Sequence, residues 1–291
     1  MKNYLKRVAK AVLNRPIVER VSEPVLYTAS KEYKIIVSDE RRFDGKTALV
    51  TGASGWLGGA ISKRLAAEGA TVFLGGRNME SLNSLQQEIK ALNGSAEPLQ
   101  MDVTSNESIE QAVGSVIQSA GRIDILVNCA GGSTREKAKN LFEQDVELID
   151  EMLEVNLRGS MLCTRAAGRF MVEQQYGRII NISSVIGEYG KPKFSDYAAA
   201  KAGIIGYSKS CALEFGPFGI TVNVVSPGYI QRGTFDNKQL KYLLKSNYLK
   251  KVGTAEDVAA AVAFIASEEA GFITGQNLRV DGGRSLGLHG D

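Results

Sequence analysis

Residues 48–59 read Ala-Leu-Val-Thr-Gly-Ala-Ser-Gly-Trp-Leu-Gly-Gly, a short apolar run followed by a glycine-rich turn and the start of a helical pattern. Glycines in such a turn let the backbone come close to a pyrophosphate, and the following helix N-terminus offers free N–H groups and a partial positive charge. Glycine turns are also common as plain connections between a strand and a helix. The surrounding pattern must therefore decide what this stretch does.

Short apolar runs alternate with longer helical patterns from residue 46 onward. The apolar runs lie at 48–50, 71–74, 125–127, 178–182, 220–225 and 277–280, and a further strand, the third in chain order, is expected to end before Met101. The helical patterns lie at 57–68, 79–92, 144–173, 197–215, 237–247 and 255–267. This alternation predicts βαβ units and the α/β class, as a three-layer, doubly wound Rossmann fold with a seven-stranded parallel sheet. Right-handed crossovers then bring the ligand crevice to the edge formed by the strand C-terminal ends.

The first 42 residues fall outside this alternation. We interpret residues 1–42 as an N-terminal extension and residues 43–291 as the catalytic domain. The residues before Pro16 predict a short amphipathic helix, because Leu5, Val8 and Val12 would lie near one helical face with basic residues around them. Such a helix either caps the domain or a subunit interface, or touches anionic lipid or a partner. A strand is also predicted at residues 33–37.

Composition excludes several classes of function. A net charge of +3, from 35 basic and 32 acidic residues, gives no reason to expect nucleic acid as a partner. No apolar run reaches the about 18 residues of a bilayer span, which predicts no integral membrane segment. Three scattered cysteines favour a reducing compartment, the cytoplasm. The only histidine, His289, lies outside every patterned segment, which argues against a Ser-His-Asp triad and a catalytic metal.

Several further motifs occur in order along the chain. Residues 101–103 (Met-Asp-Val), 127–131 (Val-Asn-Cys-Ala-Gly), 227–230 (Pro-Gly-Tyr-Ile), 273–275 (Ile-Thr-Gly) and 280–283 (Val-Asp-Gly-Gly) follow the glycine-rich turn. Together with that turn, this ordered set resembles the short-chain dehydrogenase/reductase family, in its short single-domain form, over about residues 44–291. The resemblance implies cofactor contacts from Gly52, Ser54, Gly55, Trp56, Leu57, Gly58, Asp102, Val103, Asn128, Ala130, Gly131, Pro227, Gly228, Ile230 and Thr234.

Two positions depart from the family pattern. Trp56 stands where the middle glycine of the usual turn would be, a spacing that is similar to the extended branch of the family. The extended enzymes need a further C-terminal substrate domain, whereas this sequence has few residues after Gly283. We therefore expect the short single-domain form. Arg232 occupies the place of the threonine that meets the nicotinamide carboxamide, and Thr234 is the predicted substitute.

The end of the second strand reads Leu74-Gly75-Gly76-Arg77 and bears on the choice of nicotinamide. A carboxylate here would accept the ribose hydroxyls of NAD and would repel the 2′-phosphate of NADP. Gly76 stands in that place, and the guanidinium of Arg77 suits bidentate contact with a phosphate. The sequence therefore predicts NADP(H) over NAD(H), although an arginine here could also be a solvated loop residue.

Without a usable histidine, tyrosine is the expected proton donor to a carbonyl oxygen. A tyrosine has a pKa of about 10, and a cation at i+4 on the same helical face favours the phenolate. The pattern Tyr-xxx-Lys occurs three times, as Tyr27/Lys31, Tyr189/Lys193 and Tyr197/Lys201. Gly190 and Pro192 argue against a helix at the second, and the first lies outside the α/β pattern. Tyr197/Lys201 opens a helical run, so it is the chosen pair.

The family resemblance then implies roles for four residues. Tyr197 would be the general acid/base, and Lys201 would lower the tyrosine pKa and bond the nicotinamide ribose, so both also count as cofactor contacts. Ser184, 13 positions before Tyr197, would hydrogen-bond the substrate oxygen. Asn156 would hold a relay water towards the lysine.

The predicted function is hydride transfer between NADP(H) and a small carbonyl or secondary alcohol, with a sugar, polyol or hydroxy acid preferred. A 3-oxoacyl-acyl-carrier-protein reductase is the alternative, but Gln175 and Phe218 stand where its carrier-binding arginines would be. A non-catalytic NADP-binding sensor or scaffold is the rival from another class. Basic residues between 228 and 253 suggest either an anionic substrate or a solvated helix face. A homo-oligomer, tetramer or dimer, is implied by resemblance only.

Overall fold

A computed structural model of the chain describes residues 27–28, 41–133 and 138–287, with only the backbone described at 27–28 and 234–235. The predicted N-terminal helix, the predicted strand at residues 33–37, His289 and the side chain of Thr234 lie outside the described residues.

Seven parallel strands form the central sheet, as the sequence predicted. They are β1 (Thr47–Thr51), β2 (Thr71–Gly76), β3 (Ser95–Gln100), β4 (Ile125–Asn128), β5 (Gly177–Ile182), β6 (Ile220–Pro227) and β7 (Asn277–Val280). Their spatial order is β3-β2-β1-β4-β5-β6-β7, and every neighbouring pair is parallel. The α/β Rossmann class is therefore confirmed. The order reverses between β1 and β4, and such a switch point leaves a crevice at the strand C-terminal ends.

Helices cover both faces of the sheet. They are α1 (Trp56–Ala67), α2 (Met79–Ala91), α3 (Asn106–Ala120), α4 (Val146–Leu153), α5 (Gly159–Gln174), α6 (Val185–Tyr189), α7 (Ser195–Phe215), α8 (Asn237–Lys245) and α9 (Ala255–Ala266), with 3₁₀ turns at Leu141–Glu143, Gly216–Phe218, Glu268–Ala270 and Arg284–Leu286. The helix predicted at 144–173 is divided by a π turn, Glu154–Arg158. Helices α3 and α6 were not among the predicted elements. Within the described ranges, no helix has the length and apolar character to span a bilayer.

The core consists of two apolar clusters, one on each face of the sheet. Every residue of β1 is buried, because a parallel strand covered on both sides has no solvent face. Val50 packs into the cluster under α1, α2 and α9, whereas Leu49 packs into the cluster under α3, α5 and α7. This packing fixes the strand ends from which the site is built.

A two-residue strand pair lies outside the main sheet. Tyr27–Thr28 pairs antiparallel with Thr234–Phe235, in the segment that follows β6. The pair joins Tyr27–Thr28 to the segment between β6 and α8.

Candidate active site

A cavity of about 530 Å³ lies along the C-terminal ends of the strands. Most of its wall comes from the segments that directly follow β1 to β6, at 52–58, 76–78, 101–104, 129–133, 182–186 and 227–232. The parallel sheet is thus the reason why these sequence-distant segments meet.

Most of the residues predicted for the site line this cavity. They are Gly52, Ser54, Gly55, Trp56, Leu57, Gly58, Arg77, Asp102, Val103, Ala130, Gly131, Ser184, Tyr197, Lys201, Pro227, Gly228 and Ile230. Asn128 and Asn156 are not on its wall, and the Thr234 side chain is not described.

The turn after β1 is shaped to hold a phosphate group. Gly52 has a φ of 66°, and a Cβ on it would lie 2.7 Å from the Cα of Ala130, so only glycine fits. Thr51 Oγ1 accepts hydrogen bonds from the backbone N–H of Cys129 (3.1 Å) and Ala130 (3.0 Å), which ties the two loops together. Helix α1 begins without a side-chain cap or an acidic residue in its first turn. Its N-terminus is therefore available to an anion such as a dinucleotide pyrophosphate.

The far end of the cavity carries Arg77 and Asp102. The backbone N–H of Thr104 donates to the Asp102 carboxylate (3.0 Å) and holds the pKa of Asp102 below its usual range, and the charge of Arg77 acts in the same direction. The Arg77 side chain is exposed at the cavity wall. No carboxylate occupies position 76, where the sequence has glycine.

Asn128 is a buried structural residue, in contrast to its predicted cofactor contact. Its Nδ2 donates to Oδ1 of Asn181 (2.7 Å) and to Oγ1 of Thr164 (2.9 Å). These bonds join β4 to β5 and α5 behind the cavity wall. The side chain therefore supports the wall from inside the fold.

Asn156 lies on the π turn and is fully buried. Its Oδ1 accepts from the backbone N–H of Gly132 (3.1 Å), and its Nδ2 donates to the carbonyls of Gly132 (3.2 Å) and Met152 (3.1 Å). The side chain thus holds the loop after β4, which forms part of the cavity wall. Such π turns occur frequently at functional sites.

Ser184, Tyr197 and Lys201 line the same end of the cavity. Ser184 Oγ accepts from the backbone N–H of Ile186 (3.2 Å), so the hydroxyl keeps its own proton to donate. Tyr197 lies in the first turn of α7, and Lys201 follows one turn later. Lys201 Nζ is 5.7 Å from the centre of the Tyr197 ring and donates to the carbonyl of Ile182 (2.9 Å).

The ammonium of Lys201 is deeply buried, with 5% of the residue exposed. Burial lowers the pKa of Lys201 from 10.5 to about 8, and the nearby Cys129 thiol partly opposes this. At neutral pH the amine is still protonated, so it presents a positive charge beside the Tyr197 ring.

This pKa predicts a pH-dependent stability. Between about pH 8 and 10.5 the unfolded chain binds more protons at Lys201 than the folded chain, so this residue makes the free energy of unfolding rise with pH. We expect the stability of Lys201→Met relative to wild type to fall by on the order of 3 kcal/mol across that window. Urea unfolding of both proteins at several pH values measures it. A constant difference between them would contradict the burial argument.

The end of the cavity next to Tyr197 contains side chains that the sequence did not single out for the site. Tyr189, Tyr229, Tyr242 and Arg284 line it, and the rings of Tyr229 and Tyr242 meet edge to face at 6.1 Å between centroids. Tyr242 lies on the amphipathic helix α8, and Arg284 follows directly after the last glycine motif. The sequence around Tyr242 and Arg284 does not indicate that these side chains face a cavity and not the solvent.

The comparisons with known proteins agree with this geometry. A family model described as enoyl-(acyl carrier protein) reductase matches residues 52–285. The chain belongs to the short-chain dehydrogenase/reductase family, whose members are oxidoreductases acting on carbonyl or CH–OH groups.

Its relatives carry more particular names. The chain is 38% identical to 3-oxoacyl-[acyl-carrier-protein] reductase FabG of Thermotoga maritima, over 83% of this chain and 98% of the relative. It is 41% identical to FabG of Escherichia coli, with the same coverage, and 37% identical to the short-chain reductase protein NovJ of Streptomyces niveus, over 81% and 93%. A solved structure of a putative short-chain alcohol dehydrogenase from Sinorhizobium meliloti aligns with a TM-score of 0.79 and 30% identity, over 85% of this chain and 99% of that one.

Proposed function

We propose that this protein is an NADP(H)-dependent oxidoreductase that interconverts a small ketone or aldehyde and the corresponding alcohol. One observation carries the proposal. Tyr197, Lys201 and Ser184 lie in the same cavity as the glycine-rich turn and the exposed Arg77. A proton donor and a dinucleotide site thus share one cavity, as a carbonyl reductase requires.

The residues divide the chemistry between them. When bound, the nicotinamide supplies or accepts a hydride at the substrate carbon. Tyr197 Oη transfers the proton to the substrate oxygen during reduction and removes it during oxidation. The buried ammonium of Lys201 stabilises the phenolate form of Tyr197, because an opposite charge nearby favours the ionised group. The Ser184 hydroxyl, whose proton is not used by its own backbone contact, orients the substrate oxygen.

NADP(H) is the proposed cofactor because of the end of the cavity that carries Arg77 and Asp102, where we place the adenosine. Arg77 is exposed there with a guanidinium suited to a phosphate, and Gly76 provides no carboxylate that would repel it. The glycine-rich turn and the α1 N-terminus fit the pyrophosphate. We propose no cofactor contact for the Asn128 side chain, because it donates to Asn181 behind the cavity wall.

Two substrate classes stay open. A sugar, polyol or hydroxy acid is our first candidate, since Gln175 and Phe218 do not provide the arginines expected for a carrier protein. A 3-oxoacyl thioester is the second, and the names of the relatives FabG favour it. A non-catalytic sensor is disfavoured, because the chain keeps both Tyr197 and Lys201.

One screen tests these proposals. Small ketones, oxo acids, keto sugars and acetoacetyl-coenzyme A are offered with NADPH, and the matching alcohols with NADP+. We expect turnover of at least one small carbonyl compound. Preferential turnover of acetoacetyl-coenzyme A would favour the second candidate. Binding of NADPH, seen as quenching of Trp56, the one tryptophan in the chain, without oxidation by any compound would favour the sensor instead.

Assembly, compartment and metal use are also proposals. We propose that α5 and α7 form the interface of a homo-oligomer, because Met161 on α5 and Leu213 on α7 are exposed apolar side chains. Light scattering measures the assembly directly. The three cysteines are unpaired, which suits a reducing compartment such as the cytoplasm. Among the residues that the structure describes, no group of three His, Cys, Asp or Glu side chains could hold a metal.

A further inference from the structure

The charges on the cavity wall are unevenly distributed. Lys191, Lys201, Arg232 and Arg284 line the wall near Tyr197. In the described part of the chain, the cavity wall contains one carboxylate, Asp102, which lies with Arg77 on the adenosine side. The substrate end is therefore cationic, and no acidic side chain on its described wall neutralises it.

Three of these four cations already have a defined partner. Lys201 Nζ donates to the carbonyl of Ile182, and Arg284 Nη1 donates to the carbonyl of Ser246 (3.0 Å). Lys191 Nζ lies 4.4 Å from the centre of the Phe194 ring. Arg232 makes neither a side-chain hydrogen bond nor an ion pair with any residue of 41–133 or 138–287. The Arg232 side chain is exposed at the cavity wall, so its guanidinium can donate to a ligand there.

The backbone next to Arg232 is tied to the segment that contains Gly253. Ile230 is buried and forms a β-bridge with Gly253, and the N–H of Gln231 donates to the carbonyl of Gly253 (2.9 Å). Burial raises the pKa of the Cys129 thiol to about 11, and the charges of Lys201 and Arg232 both oppose this rise. The two cations therefore act on the same thiol in the cavity wall, so Arg232 belongs to the end that contains Lys201 and Tyr197.

We propose that Arg232 binds an anionic group, a carboxylate or a phosphate, on the same small molecule as the reacting carbonyl. The inference rests on the proposed function. It narrows the first substrate candidate, a sugar, polyol or hydroxy acid, to oxo acids or phosphorylated carbonyl compounds and the corresponding alcohols. A planar guanidinium makes paired, charge-assisted hydrogen bonds to either anion. A neutral substrate offers Arg232 no charged acceptor, so it gains none of these charge-assisted hydrogen bonds.

Matched pairs of probes test the role of the anion and distinguish its two sources. Acetoacetate is compared with methyl acetoacetate, and dihydroxyacetone phosphate with dihydroxyacetone, each with NADPH. We expect the charged member of one pair to have a kcat/KM about 10- to 100-fold higher than its neutral partner. The pair that shows this preference identifies carboxylate or phosphate. Calorimetric binding of the same four compounds to the complex with NADP+ gives a readout that does not need turnover.

Substitutions then assign the preference to Arg232. Arg232→Met should remove it by weakening the charged probe about 10- to 100-fold, with the neutral probe and NADPH affinity, measured by Trp56 quenching, little changed. Arg232→Lys should restore part of it, since the charge returns without the paired geometry. Lys238→Met, an exposed lysine of α8 away from the cavity wall, controls for net charge.

Three outcomes would overturn the inference. They are the absence of binding and turnover of both charged probes, an equal loss for charged and neutral probes in Arg232→Met, and a loss of NADPH affinity that accounts for the whole effect. Turnover of neutral ketones in the same experiment would show that the proposed oxidoreductase function survives. Failure of every carbonyl compound in the wider screen would instead count against that function.

Discussion

Replacing Tyr197 by phenylalanine is expected to lower kcat by at least about a hundredfold, because general acid/base catalysis typically contributes a factor of 10² to 10⁴. The substitution removes one oxygen from a partly buried ring and leaves the packing of α7 intact. Lys201 keeps its bond to the carbonyl of Ile182, so the cavity wall should be unchanged. NADPH binding, followed by quenching of Trp56, should persist.

The same helix offers a matched control for this experiment. Tyr207 lies on α7 outside the cavity, and its hydroxyl donates to the carbonyl of Met161 (3.3 Å). Tyr207→Phe deletes the same atom from the same helix without touching the proposed proton path. We expect its kcat to stay close to that of wild type. Activity retained in Tyr197→Phe, or lost equally in Tyr207→Phe, would remove the proposed role of Tyr197.

Much of the fold could be predicted because its signals are local. A buried parallel strand such as β1 is apolar throughout, and the glycine at position 52 marks a backbone that no other residue fits. Helix α3, which lies outside the predicted elements, has equally local signals, namely a Ser105 cap and buried apolar residues at helical spacing from Ile109 to Val116. The π turn is different, since its Asn156 bonds to Gly132, 24 residues away.

In the site, too, some positions follow from local sequence signals and others depend on contacts between distant residues. The positions of Ser184, Tyr197 and Lys201 follow from one strand end and one helix, and the structure brings all three to one cavity. The sequence could not show that Asn128 turns inward to Asn181, because that choice depends on the neighbouring strand. It also could not show which face of α8 covers the cavity. Tyr242 was therefore found only from the structure.

A switch of cofactor preference is the second large effect that we expect. The double variant Gly76→Asp, Arg77→Ala should shift the ratio of kcat/KM for NADPH over NADH by at least about a hundredfold towards NADH. Loss of Arg77 removes charge-assisted hydrogen bonds to the 2′-phosphate. The new carboxylate repels that phosphate and accepts the ribose hydroxyls of NADH.

Position 76 has room for the Cβ of a new side chain. A Cβ on Gly76 would lie 3.4 Å from Cδ2 of Leu82 and 3.5 Å from Oγ of Ser54, which are ordinary contacts, and Gly76 is not among the glycines with positive φ. The fold should therefore tolerate the change, and the kinetic effect can be separated from misfolding by comparing Tm values. Arg77→Lys is the control, since it keeps the charge but loses the paired geometry and should reduce the preference only partly. An unchanged ratio of kcat/KM for NADPH over NADH in the double variant would mean that residues 76 and 77 do not contact the adenosine ribose. In that case neither the attraction by Arg77 nor the repulsion by a carboxylate at position 76 would reach the 2′-phosphate.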